Sequence, residues 1–229
     1  MKAGYEAAIF DLDGTLLDYA AAQRQAVEAV ARELELDTDS QALLELVGGE
    51  EVQALEACRP NAPKPESPEM ESAFRRCGVE AAPRGFLRLY YRRLSEHHET
   101  LEGALETLQA LREAGLSIGL VSNGPGAVQR PRIRESGLIE YLDAVVLSCE
   151  VGMAKPDPEI LLLALRLLKT EAEKAIFVGD STRSDLPAAA RAGVDFALID
   201  PEGGFAEEGP RVLNATGLKE VTELLLPGS

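Results

Sequence analysis

Cysteine is scarce in this chain: three residues, Cys58, Cys77 and Cys149, among 229, an odd number with no CxxC or other metal-ligand spacing. That pattern argues against a disulfide framework and predicts three ordinary small apolar side chains in a reducing cytoplasm. Long hydrophobic runs are also missing. No apolar stretch approaches the roughly 18 residues that a membrane span needs, and the N-terminus lacks the basic region and apolar run of a secretory signal. Positive charge is in deficit, with 23 Lys and Arg against 39 Asp and Glu and a formal net charge of -16. Such a field repels nucleic-acid backbones and anionic membranes, so neither is an expected partner. An anionic ligand could approach only through a local positive feature, a metal ion or a placed lysine. Internal repeats are absent, and the one biased segment holds four prolines, Pro60, Pro63, Pro65 and Pro68, which read as a surface loop.

What is present is ordinary globular composition, 45% apolar and 27% charged, in a chain long enough for one large core or two modest domains. The stretch AAIFDLDGTLLD, residues 7 to 18, runs an apolar segment straight into Asp11 and Asp13. Two carboxylates so close repel, so a cation, a shared proton or a reaction must compensate them.

Residues 19 to 97 carry helical periodicity in several segments interrupted by the proline loop. From residue 103 helices alternate with short β-rich runs at 117–121, 144–147, 175–178 and 196–199, ending in a helix at 217–226. Alternation of this kind predicts an α/β fold, a Rossmann-like parallel sheet with helices on both faces. The strand at 7–10 belongs to that sheet, which makes the helical stretch an insertion. The expected organisation is a core of residues 1–17 and 99–229 with a smaller all-helical cap of residues 18–98.

Ligands of open parallel sheets bind beyond the carboxyl ends of the strands. Asp11 and Asp13 follow the first strand, Ser122 and Asn123 the second, and Asp180 and Asp185 the strand at 175–178, while Lys155 lies between 144–147 and the next helix. All are expected on one rim. The carboxylates suit a hard cation, magnesium above all, and Lys155 a second anion.

Bland readings compete at each position. A calcium loop opening at Asp11 fails at its sixth position, Leu16, and its twelfth, Ala22. Gly124-Pro125-Gly126 lacks the third glycine of a dinucleotide fingerprint, since Gln129 stands there, and reads as loop chemistry. Ser122 could be a helix cap, Lys155 an exposed lysine, and His97 and His98 solvated residues at the exit of the insertion. Arg84, Arg88 and Arg92 form a stripe on one helix face, either a solvated face balancing acidic neighbours or a surface turned to the rim that selects an anionic substrate.

The constellation resembles the haloacid dehalogenase-like hydrolase superfamily, across the sheet-forming part of the chain. Asp11-Leu-Asp13-Gly14-Thr15 is similar to its first motif, Ser122-Asn123 to its second, Lys155-Pro156 to its third and Gly179 to Asp185 to its fourth. The resemblance implies a phosphatase of the helical-cap branch. Asp11 would be the nucleophile forming a phosphoaspartate, and Asp13 the acid and then the base. Ser122, Asn123 and Lys155 would bind the phosphoryl group, and Asp11, the Asp13 carbonyl, Asp180 and Asp185 would hold or adjoin magnesium. Asp13 favours a phosphatase over a dehalogenase, and Gly179 favours it over the phosphosugar mutases, which usually carry glutamate there. VQRPRIRESGL (128–138) is similar to the nucleotidase and acylneuraminate-phosphatase group, whereas Gly14 is closer to phosphoglycolate phosphatases. The substrate class is therefore a small phosphorylated metabolite: nucleotide, sugar phosphate or phosphoglycolate. Monomer and homodimer are both open. A phosphoacceptor signalling module is the rival from another class, but it would not need Asp13 or a large cap.

Overall fold

The computed structural model describes residues 4–203 and 212–226; residues 1–3, 204–211 and 227–229 of the expected core domain lie outside these. Four consecutive apolar residues, Ala7–Phe10, form β1, and all four are buried. A strand so uniformly apolar needs cover on both faces, as in a parallel sheet. Alternate residues do point to opposite layers. Ala8 and Phe10 join one apolar cluster, and Ala7 and Ile9 another.

Five helices follow β1: α1 (Tyr19–Glu33), α2 (Ser40–Val47), α3 (Glu50–Glu56), α4 (Pro68–Arg76) and α5 (Pro83–Leu94). The chain then alternates through α6 (Ala104–Glu113), β2 (Ser117–Ser122), α7 (Gly126–Glu135), β3 (Ala144–Leu147), the single turn α8 (Ser148–Val151), α9 (Glu159–Leu168), β4 (Ala175–Gly179), α10 (Asp185–Ala192), β5 (Asp195–Ile199), β6 (Val212–Ala215) and α11 (Leu218–Leu225). All strand pairs are parallel, in the order β3-β2-β1-β4-β5-β6. Helices α6 and α11 cover one face and α9 and α10 the other. Because β2 and β4 flank β1 in opposite directions, the strand order reverses at β1, and the binding crevice of such sheets opens there.

Helices α1–α5 bury their own cluster, including Val27, Leu43, Phe74 and Tyr90, with Phe74 and Phe86 meeting edge to face at 5.3 Å. The two chain segments that join this helical lobe to the sheet are paired: the Asp18 N–H donates to the Glu99 carbonyl and the Leu101 N–H to the Leu16 carbonyl, both at 2.9 Å. Asp18 also caps α1, its carboxylate accepting from the Ala21 N–H.

Two expectations need correction. Cys58 and Cys149 form a disulfide between the segment after α3 and α8, and only Cys77 is free. They are 91 residues apart, so sequence spacing could not pair them. The arginine stripe fits the solvated-face reading at two of its three positions. Arg84 pairs with Glu66, and Arg92 and Arg93 share Glu33. His97 and His98 are half-buried rather than exposed, and the His97 carbonyl accepts from Arg132 Nε of α7. The strand β6 was also not anticipated; it is an edge strand in which two half-buried residues, Val212 and Leu213, are followed by the exposed Asn214, so no apolar run marks it.

Candidate active site

The tight turn after β1 sets the first two carboxylates. The N–H groups of Leu16 and Leu17 both reach the Leu12 carbonyl at 2.9 Å, and Gly14 adopts φ +83, a conformation that side-chain-bearing residues rarely take. Any Cβ at Gly14 would also run into the Asp180 carboxylate. Asp11 therefore ends buried at the mouth of the sheet, with Asp13 beside it and half-open to a cavity of about 700 Å³.

Lys155 is 2% exposed, so the exposed-lysine reading fails. Its ammonium lies between two carboxylates, in contact with Asp11 Oδ1 and 2.8 Å from Asp185 Oδ1. Asn123 holds the lysine's backbone in place: its Nδ2 donates to the Lys155 carbonyl at 3.0 Å and its Oδ1 accepts from the Lys155 N–H at 2.9 Å. The Asn123 side chain is thus committed to the lysine loop. Ser122, 1% exposed at the end of β2, places its hydroxyl at the cavity wall.

The fourth segment completes the ring. Asp185 is fully buried and accepts from the Ser181 N–H and the Ser184 hydroxyl, both at 3.1 Å. Thr15 donates to Asp180 at 3.5 Å, while Asp180 itself stands open at the rim. A side chain at Gly179 would strike the Asp185 carboxylate, so this backbone has no room for the mutase-type glutamate.

Asp11, Asp180 and Asp185 each offer an oxygen within 4.8 Å of the others. Three carboxylates against one ammonium leave two negative charges uncompensated, the charge a divalent cation supplies. Burial pushes the Asp11 carboxyl well above the usual range, and Asp185 and Asp180 push the same way against Lys155. Withdrawal from water and the Asp185 charge raise Asp180 to about 6. The attraction of both aspartates holds Lys155 above its ordinary value despite its burial. Hard oxygen donors at this spacing fit magnesium.

All seven residues anticipated at the rim, Asp11, Asp13, Ser122, Asn123, Lys155, Asp180 and Asp185, do converge on the carboxyl end of the sheet, and six line one cavity while Asp185 lies directly behind it. Other participants were not anticipated. Gln129, which the sequence reading gave no role, is fully buried and donates to Asp13 Oδ2 at 2.7 Å. Arg132, 1% exposed, sits 2.6 Å from Asp13 Oδ1. Their signal was the three-residue spacing that puts both on one helix face just after Ser122. From the helical lobe, Tyr19 donates to Glu56 at 3.1 Å, and burial together with the Asp13 charge lifts Glu56 to about 7.

A six-stranded parallel sheet with an acidic pair after its central strand and a buried lysine opposite defines a hydrolase-type α/β site. The chain belongs to the haloacid dehalogenase-like hydrolases, whose family model matches residues 8–199. It is 32% identical over 203 residues to the N-acetylmuramic acid 6-phosphate phosphatase of Pseudomonas putida, covering 86% of this chain and 85% of that one. It is 30% identical over 207 residues to the ribulose-1,5-bisphosphate 5-phosphatase of Halopiger xanaduensis, covering 85% and 84%. Its fold matches the magnesium-bound HAD-hydrolase YfnB of Bacillus subtilis with a TM-score of 0.82 at 23% identity, covering 98% of this chain and all of that one. Among the described residues no helix is long and apolar enough to cross a membrane.

Proposed function

We propose that this protein is a magnesium-dependent phosphatase of a small phosphomonoester, acting through a phosphoaspartate on Asp11. The observation that carries the reading is the position of Lys155, buried between Asp11 and Asp185 beside a cavity that also holds Asp13. A carboxylate needs no base to attack phosphorus, but it must not be repelled by its anionic target. Asp11, Asp180 and the Asp13 carbonyl would hold magnesium, with Asp185 adjoining them, and the ion would supply the positive charge that lets an anionic ester approach an ionised Asp11. Lys155 and the Ser122 hydroxyl bind the remaining oxygens, and Asn123 serves them by fixing the lysine loop. Asp11 Oδ attacks phosphorus as the bond to the ester oxygen breaks, and Asp13 gives that oxygen a proton. Asp13, now ionised, takes a proton from the water that opens the phosphoaspartate, which releases phosphate and restores Asp11. Most of the rate in such transfers comes from positioning and charge stabilisation.

Residues 1–17 and 99–229 form the catalytic core in this reading, and residues 18–98 a cap. Tyr19, Gln53 and Glu56 from the cap face the phosphate site across the cavity, and Arg59 and Arg183 stand at its mouth. These groups suit a metabolite with hydroxyls and a second acidic group, which keeps acidic sugar phosphates, nucleotides and phosphoglycolate in the class. The two relatives named for phosphorylated sugars support it. Gly179 argues against the mutase alternative, and the enclosing cap against a signalling receiver.

The test is phosphate release from p-nitrophenyl phosphate and from a panel of sugar phosphates, nucleotides and phosphoglycolate, with magnesium and with EDTA. Repeated turnover that needs magnesium and vanishes in Asp11→Asn supports the proposal. A single stoichiometric release, or activity untouched in Asp11→Asn, overturns it.

A further inference from the structure

Each oxygen of the Asp13 carboxylate has one protein partner, and both partners come from α7. Gln129 Nε2 donates to Oδ2 at 2.7 Å and lies 3.2 Å from the Ser122 hydroxyl. Arg132 Nη1 faces Oδ1 at 2.6 Å, an ionic contact whose angle falls outside hydrogen-bond geometry. Arg132 is itself fixed on all sides. Its Nη1 donates to Gln129 Oε1 at 2.8 Å, its Nε to the His97 carbonyl at 2.8 Å, and its guanidinium lies 5.8 Å from the centre of the Tyr19 ring. Gln129 has a fitted seat as well, since a Cβ at Gly124 would come within 2.7 Å of its Nε2.

We propose that Gln129 and Arg132 are positioning residues for proton transfer, holding the protonated Asp13 carboxyl so that its O–H points at the departing ester oxygen; the inference rests on the phosphatase reading above. Gln129 fills one of the two acceptor sites of Oδ2 and the Arg132 charge fixes the buried Oδ1, so the site left on Oδ2 is the one for the travelling proton. Without those partners the side chain would be free to rotate, in a site already crowded by Asp11 and Asp180. General acid catalysis demands a heavy-atom approach of about 2.6–3.2 Å, so rotation alone would disable the step. Arg132 touches the start of the helical lobe at the Tyr19 ring and its exit at the His97 carbonyl, so Asp13 is oriented by the same residue that ties the lobe to the sheet.

A purely structural role, stapling α7 to the linkers, would weaken every substrate alike. The proposed role depends on the leaving group. In p-nitrophenyl phosphate the leaving oxygen needs little help from an acid, whereas phenyl phosphate expels a phenol ionising near pH 10, like tyrosine. The experiment compares kcat/KM for p-nitrophenyl, phenyl and p-methoxyphenyl phosphate in magnesium for the wild type, Gln129→Leu, Arg132→Lys and Asp13→Asn. Gln129→Leu is expected to lose less than about tenfold on p-nitrophenyl phosphate and on the order of 10²-fold on phenyl phosphate, with p-methoxyphenyl phosphate falling furthest. Its leaving-group slope should approach that of Asp13→Asn. Arg132→Lys keeps the buried charge and should show the same trend in weaker form, giving an independent reading if the glutamine variant fails to fold. Equal losses on all three esters in the folded variants, or none, overturn the proposal. A wild-type enzyme that releases phosphate from none of a full metabolite panel overturns the phosphatase reading instead.

Discussion

Cys58 and Cys149 join the helical lobe to the sheet a few residues from the cavity, with Ala57 and Arg59 on one side of the bridge lining it. The bond closes a loop of 91 residues, for which chain entropy alone predicts roughly 4–5 kcal/mol of stabilisation. Thiol titration of the denatured, unreduced protein is expected to find one reactive group, Cys77, and three after reduction. Reduction or Cys58→Ser should lower Tm by several degrees. Three thiols without reductant would show that the bridge does not form.

Lys155→Met should be among the most damaging single changes. It leaves Asp11 and Asp185 facing each other in a buried site without their cation, and breaking a buried pair in this way costs about 3–5 kcal/mol. Calorimetry should register that loss, with part of it regained on adding magnesium. Unchanged stability would mean that the two carboxylates are protonated or solvated independently of the lysine.

Magnesium itself should stabilise the fold. At about a hundredfold excess over its dissociation constant a site-bound ion contributes roughly 2.7 kcal/mol, visible as a Tm shift that EDTA reverses. Asp180→Asn should weaken the shift. Because Asp180 titrates at about 6, protons compete with the ion below that pH, and the shift should shrink as acidity increases. A Tm indifferent to magnesium at pH 7.5 would count against the metal site.

Glu56 links stability to pH in the opposite sense from most carboxylates. Its folded value of about 7 lies above the ordinary 4.5, so folding favours the protonated form. Its contribution is fully present below about 4.5, declines as pH rises and is lost above about 7, for a total of roughly 3 kcal/mol. Denaturant unfolding of the magnesium-saturated wild type and Glu56→Gln should give curves that diverge across that window. Parallel curves would sink the assignment.

Arg88→Ala and Arg92→Ala should leave KM for the best substrate unchanged, because neither residue lines the cavity and Arg92 is paired with Glu33 at the surface. A raised KM would restore the stripe as a substrate contact.

Much of the fold was legible because its signals are local. Four buried strands fall where β-rich runs alternate with helices, and β1 and β3 match the expected bounds to the residue. Strand β6 escaped because its two half-buried apolar residues are followed by an exposed asparagine and make no apolar run. The rim residues were legible for a topological reason: in a parallel sheet every strand ends on the same edge, so residues that follow strands must meet there. The partners of Asp13 were not legible, since a three-residue spacing is common to any two side chains on one helix face, and only the packing of α7 against the turn after β1 brings Gln129 and Arg132 to that carboxylate.

By itself the sequence determined which residues end the strands, the helical insertion between the first two of them, and hence the gathering of Asp11, Asp13, Ser122, Asn123, Lys155, Asp180 and Asp185 on one edge. Only the tertiary structure decided which of them touch. Whether Lys155 bridges two aspartates, whether Asn123 serves the substrate or the lysine loop, and which cysteines meet all depend on how layers pack across long chain separations. Strand and helix periodicity records each element's own buried face, while contacts between elements are set by close packing that no local pattern encodes.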